Sequence, residues 1–267
     1  MEEDEILIFL FGGGAVGLYY LFQGTHSLEP MHLERNPYPG LTRLGVFGAL
    51  IYALYVLILF ADASVTPIYM AFYVVLAYAF TLWGGHLAEG LLGVRFKVDV
   101  CERRNPAAAL AITGIYLAVG LIFGSCLWGE ADPYSDDEGG WWIPLGFFAL
   151  GYAVFAGGLK LFSKRERHGM RYQLVGERSV GAGRATFTYA LSLAWIISTA
   201  VAGDFFGWAH GLAAIGQVIV LLGIHEIFRL VHSKVVGSSR LLESALYLIS
   251  GFGVPLLLNL IPGWSDI

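Results

Sequence analysis

Two histidine–glutamate pairs stand inside long apolar stretches of the chain: His86 with Glu89, and His225 with Glu226. Imidazoles and carboxylates at close quarters relay protons or bind cations, and an ionisable group held in lipid is costly enough to mark a functional position. His86 and Glu89 are three residues apart and share one face of a helix. Gln23, His26 and Lys160 fall at similar depths in other apolar stretches, and Arg184 and Arg240 open two more. His86, Glu89, His225 and Glu226 are therefore the candidate ion or proton relay. The competing reading is local pairing. Lys160 can extend its ammonium to the interface, Glu226 can pair with Arg229 along one helix, and Glu89 can pair with Arg184 across helices. Two histidines and two glutamates could also hold a metal, but the chain has no His-Glu-x-x-His or Cys-x-x-Cys spacing, so neither metal nor cofactor is expected.

The elements that must position these groups are membrane helices. Of the 267 residues, 57% are hydrophobic and only 14% charged, against about 25% charged in soluble domains. The mean hydropathy of +0.65 agrees. The acidic start, Met1-Glu2-Glu3-Asp4-Glu5, lacks the basic flank of a cleaved signal, so the first apolar run is expected to remain as a helix. Eight runs are long enough for a hydrocarbon core, which needs about 20 residues. They span 6–22, 41–60, 67–92, 106–128, 141–161, 181–202, 206–231 and 241–261. The sixth is the most polar, with Thr186, Thr188, Ser192, Ser198 and Thr199. The runs are continuous rather than alternating, which favours helices over a barrel. The expectation is an all-α integral membrane protein, one polytopic domain over 1–267.

Charge sets the orientation. All 16 Lys and Arg residues fall in the loops after the first, third, fifth and seventh runs or on helix ends facing those loops. The N-terminus, the remaining loops and the C-terminus carry acids such as Glu130, Asp132, Asp136 and Asp204 instead. Basic loops stay cytoplasmic during insertion, so both termini are expected outside.

The even-numbered runs open alike. Glu34-Arg35-Asn36-Pro37 precedes the second, Glu102-Arg103-Arg104-Asn105-Pro106 the fourth, and Glu177-Arg178-Ser179-Val180-Gly181 the sixth. Ser239-Arg240 before the eighth echoes Gly183-Arg184. In this register Asn105 aligns with Val180. The unit is a two-helix hairpin used four times in parallel, over about 1–61, 62–128, 129–202 and 203–267. Locally, Asn105 can cap a helix and Pro106 fits its first turn. The alternative is a cytoplasmic site built by the four turns from Glu34, Arg35, Asn36, Pro37, Glu102, Arg103, Asn105, Pro106, Glu177, Arg178, Arg184 and Arg240.

The stretch from Glu102 to Ala111, with Gly114 and Gly120, resembles the repeated motif of a bacterial inner-membrane family catalogued as domain-of-unknown-function family 350. The resemblance is clearest over residues 67–202. It departs where Val180-Gly181 stands for Asn-Pro, and the fourth copy lacks the Glu-Arg pair. It implies a bacterial inner-membrane location and paired helices, and no chemistry.

Functional expectations are correspondingly spare. No phosphate loop, nucleophile elbow or dinucleotide fingerprint is present, so an enzyme is not expected. The loop bearing Lys164, Arg165, Arg167 and Arg171 suits lipid headgroups or a cytoplasmic protein partner. A net charge of −5 gives no support to nucleic acid. Gly120 and Gly124, like Gly13 and Gly17, permit close helix packing, within the chain or in a homo-oligomer. Cys101 and Cys126 lie at opposite ends of one helix, roughly 37 Å apart at 1.5 Å per residue, too far for a disulfide. The leading reading is a small transporter or channel-like permeation protein. The alternative is a scaffold or sensor subunit that recruits partners through its basic loops.

Overall fold

A computed structural model describes residues 36–61, 65–129, 142–166, 168–202, 208–234 and 240–259. They form seven α-helices and no strands: α1 (Tyr38–Leu59), α2 (Pro67–Leu92), α3 (Pro106–Ser125), α4 (Trp142–Arg165), α5 (Val180–Val201), α6 (Trp208–Lys234) and α7 (Arg240–Asn259). Each covers one expected run to within a few residues. The first run, 6–22, with Gln23, His26, Gly13 and Gly17, lies outside the described residues.

Six of the seven are long and apolar enough to cross a membrane; α5 is not one of them. Its hydroxyls lower its hydropathy, and the packing absorbs all of the named ones but Ser198, whose Oγ is buried without a hydrogen-bond partner. Thr186 donates to the Ala182 carbonyl (2.8 Å), Thr199 to that of Ile196 (2.8 Å), and Ser192 across to Tyr247 of α7 (2.7 Å). An apolar helix is needed where a face meets lipid. A helix flanked by protein on both sides, as α5 is by α3 and α7, is freed from that requirement.

Helices α1, α3, α5 and α7 pack side by side in sequence order, and α2, α4 and α6 pack against them. The row is parallel. The starts of α1 and α3 meet through Asn36, whose amide donates to the Val100 and Cys101 carbonyls (3.0 and 3.1 Å) just before α3. Their far ends meet in the stacked rings of Phe60 and Trp128, 3.8 Å apart. Glycines set how closely the row packs. A Cβ on Gly183 would sit 2.5 Å from the Ala107 carbonyl oxygen, and one on Gly114 only 2.6 Å from the Phe187 Cα, so the α3 and α5 backbones touch. Gly120 and Gly124 face Ala49 and Tyr52 of α1, so they serve packing within the chain. The span of α3 is 83% buried and that of α6 only 17%. The outer helices instead present apolar stripes, such as Leu44, Phe47, Ile51 and Ile58 on α1, as lipid contact requires.

The turns before α3 and α5 are built alike. A π-helical turn, Phe96–Glu102 or Tyr172–Gly176, comes first. It closes with Arg103 N–H to Val98 O (2.9 Å) in one and Glu177 N–H to Tyr172 O (2.8 Å) in the other. An arginine in the left-handed region follows, Arg104 (φ 50°) or Arg178 (φ 51°). Then comes an extended N-cap. Asn105 Oδ1 accepts from Ala107 and Ala108 (3.0 and 3.3 Å), and Ser179 Oγ accepts from Ala182 (3.3 Å). The register expected from residue identity is therefore one off. Asn105 corresponds to Ser179 rather than Val180, and Arg103 to Glu177, because a cap is selected for its side-chain oxygen and not for its name.

Asn105 does two tasks at once. Fully buried, it also donates Nδ2 to the Leu174 carbonyl (2.7 Å), tying the start of α3 to the turn before α5. Asn105→Ala is expected to cost about 1–3 kcal/mol, since it leaves that carbonyl and two amides without partners. Chemical denaturation in detergent checks this, with Asn105→Asp, which keeps the cap but loses the cross-link, falling between.

Candidate functional site

The two expected pairs fall into separate environments. On α2, Glu89 is buried and accepts from the Phe96 amide (2.9 Å) and the Tyr116 hydroxyl (2.8 Å). His86 is half exposed beside it, its Nδ1 3.7 Å from the Glu89 carboxylate. Glu89 does not need Arg184, whose Nε is buried without a hydrogen-bond partner. On α6, Glu226 pairs with Arg229 one turn on and with Arg165 at 3.5 Å, at a partly exposed level. Local pairing accounts for these groups, and Lys160 is exposed. No hydrogen bond or ion pair among the described residues joins His86 or Glu89 to His225 or Glu226.

His225, the residue before Glu226 on α6, points to a more buried side and enters a buried network. Its side chain is 1% exposed, and those of Glu166 and Glu243 are 5%. Arg240, the first residue of α7, reaches between the two carboxylates. Its Nη1 lies 2.8 Å from Glu243 and 3.3 Å from Glu166, and its Nη2 donates to Gln173 Oε1 (2.8 Å). Gln173 returns its own amide to Glu166 (2.6 Å). Tyr247 donates to Glu243 Oε1 (2.8 Å) and contacts His225 Nδ1 (2.8 Å). Phe162 lies over the imidazole at 4.5 Å between ring centres and stacks on Tyr189 at 4.2 Å.

Four segments supply this centre. Glu166 follows α4, Gln173 comes from the π-helical turn before α5, His225 from α6, and Arg240, Glu243 and Tyr247 from the first two turns of α7. Local rules explain the placements on α7 and in the turn. Arg240, Glu243 and Tyr247 are spaced 3 and 4 apart on one helix face. Gln173 occupies the place that Asp99 takes in the preceding turn, where Asp99 accepts from the Arg95 amide (2.9 Å) and pairs with Arg103 (3.1 Å). The inner layer holds two carboxylates against one guanidinium, an excess of one negative charge while His225 is neutral. The outer layer of Glu226, Arg229 and Arg165 carries the compensating positive charge closer to solvent.

Glu166, His225 and Glu243 each bring one ligand atom within 4.8 Å of the others, as a metal site would. Arg240 already occupies the gap between the carboxylates, so a metal could enter only if the guanidinium withdrew.

The remaining expected residues have structural places. Pro37 and Pro106 sit at helix starts, Glu102 and Glu177 are exposed, and Lys164 and Arg171 are exposed at the same end of the bundle. Glu34, Arg35 and Arg167 lie outside the described residues. Cys101 and Cys126 are free thiols. Burial pushes the Cys101 thiol above the ordinary cysteine value, against the pull of Arg43. Glu166, Gln173, Glu243 and Tyr247 were not singled out from the sequence. The i, i+3, i+7 set Arg240-Glu243-Tyr247 was readable there, but Glu166 was hidden among the basic residues around it. Compared with known proteins, the chain matches no family model, no curated protein and no solved structure.

Proposed function

We propose that this membrane protein is a small permeation or transport protein that moves a cation, with the Glu166–Arg240–Glu243–His225 centre as its binding site. One observation carries the reading: four ionisable side chains from three segments, the end of α4, α6 and α7, converge in a buried layer of an apolar helical bundle, with an excess of negative charge. A structural role alone would be served as well by apolar residues of similar volume, since buried ion pairs rarely add stability over them. Ionisable groups kept in a membrane interior are characteristic of ion and proton pathways.

The wider arrangement follows the same reading. The protein is an eight-span unit of four parallel hairpins in a bacterial inner membrane, with the basic ends of the helices cytoplasmic and both termini outside. The meeting of the α1 and α3 starts, the tie from Asn105 to the turn before α5, and the reach of Arg240 to Gln173 support this, because they gather the basic turns at one end.

The test is cation flux into sealed proteoliposomes. Glu166→Gln and Glu243→Gln are each expected to lower the rate at least about tenfold, while Glu226→Gln, at a partly exposed pair, changes it little. Wild-type rates in both buried variants would overturn the reading. So would the absence of flux for every cation tested in folded wild-type protein, which would favour recruitment of a protein partner through the face bearing Lys164, Arg165 and Arg171.

A further inference from the structure

We infer that the cation held at this centre is a proton and that His225 Nε2 is the atom that takes it up. As the identity of a carried ion, this rests on the permeation reading; as a statement about the site, it does not.

Hydrogen-bond direction sets the tautomer. The Glu243 carboxylate is paired with Arg240 at 2.8 Å and can only accept, so the single hydroxyl proton of Tyr247 goes to Glu243. The 2.8 Å contact between Tyr247 and His225 Nδ1 must then be made by a proton on Nδ1. Neutral His225 therefore keeps its lone pair on Nε2, which is buried and has no hydrogen-bond partner. A second residue fixing one ring nitrogen so that the other stays available is how a histidine is prepared to bind a cation.

Burial disfavours a charged ring and Arg240 of α7 adds to that, while the charges that favour it are Glu166 from the end of α4, Glu243 from α7 and Glu226 on α6 itself. Arg165 and Arg229 offset Glu226, while Tyr189 of α5 and Tyr247 of α7 flank the ring as neutral phenols. Uptake of one proton brings the inner layer from one excess negative charge to neutrality. The Phe162 ring packs beside the imidazole at 4.5 Å between centres, tilted by 49° to it. In this conformation no acceptor meets an Nε2–H, so charge holds the proton rather than a hydrogen bond, and its release breaks none. A divalent metal would instead have to displace Arg240.

The experiment is nitrogen-15 NMR of histidine-labelled protein in lipid nanodiscs, with the His225 signals identified by their loss in His225→Asn. At high pH the Nδ1–H tautomer with a bare Nε2 is expected, and acidification from about pH 9 to about pH 5 should protonate Nε2. Tyr247→Phe should mix the tautomers, which a merely structural tyrosine would not do. In proteoliposomes, proton flux driven by a pH gradient should fall at least tenfold in His225→Asn. An Nε2–H tautomer in the neutral wild-type protein, a ring that stays neutral throughout, or a shift of Nε2 on adding Mn²⁺ or Zn²⁺ with flux of that metal would each overturn the proton assignment. Protonation of Nε2 without flux of any cation would uphold the site and overturn permeation alone.

Discussion

Replacing Arg240 with methionine is expected to destabilise the folded protein by about 3–5 kcal/mol, because it strands two buried carboxylates and the Gln173 carbonyl that the guanidinium now serves. Arg240 makes three hydrogen bonds in the network, and through them it joins α7 to the segment after α4 and to the turn before α5. Its loss would be felt as repulsion between Glu166 and Glu243 and as separation of α7 from α5. Two origins of the effect can be told apart. If uncompensated charge is the cause, the triple variant Arg240→Met with Glu166→Gln and Glu243→Gln should recover most of the loss, as neutral replacements of buried ion pairs commonly do. If lost packing of the arginine stem is the cause, the triple variant should be no better than the single one. Denaturant midpoints in detergent, with the slope of the transition held constant, decide between them.

The second large effect is expected at Gly183, where alanine should cost about 1–3 kcal/mol although alanine is the better helix former. The added carbon would meet the Ala107 carbonyl oxygen at 2.5 Å and its Cα at 2.8 Å. Both are backbone atoms, so no side chain can turn away and α3 and α5 must part. Because Asn105 ties the same end of α3 to Leu174, the separation also strains that bond. Gly223 supplies the control. It lies on α6, where an added Cβ would meet nothing within 4 Å, so Gly223→Ala should be neutral or stabilising by up to about 1 kcal/mol from helix propensity alone. Thermal unfolding of the two variants in the same lipid–detergent mixture tests the contrast. Equal behaviour would mean that close approach of the α3 and α5 backbones does not hold the row together.

Composition and periodicity determined the helical membrane class, the bounds of the seven described helices, the capping role of Asn105, the i, i+3 pairing of Glu226 with Arg229 and the free state of both cysteines. Each depends on residues close in sequence or on bulk transfer into lipid, which a chain carries in its local pattern. The register of the repeated turns was legible only in part, because different side chains can satisfy the same cap. The partners of His225 were not legible. Glu166, Gln173, Arg240 and Glu243 come from segments up to 77 positions apart, and which helix faces meet is set by where glycines such as Gly114 and Gly183 let backbones touch. The burial of a polar helix such as α5 was likewise decided by its neighbours. Sequence placed ionisable groups within apolar helices; only the packing of four segments around Arg240 decided which of them are buried together.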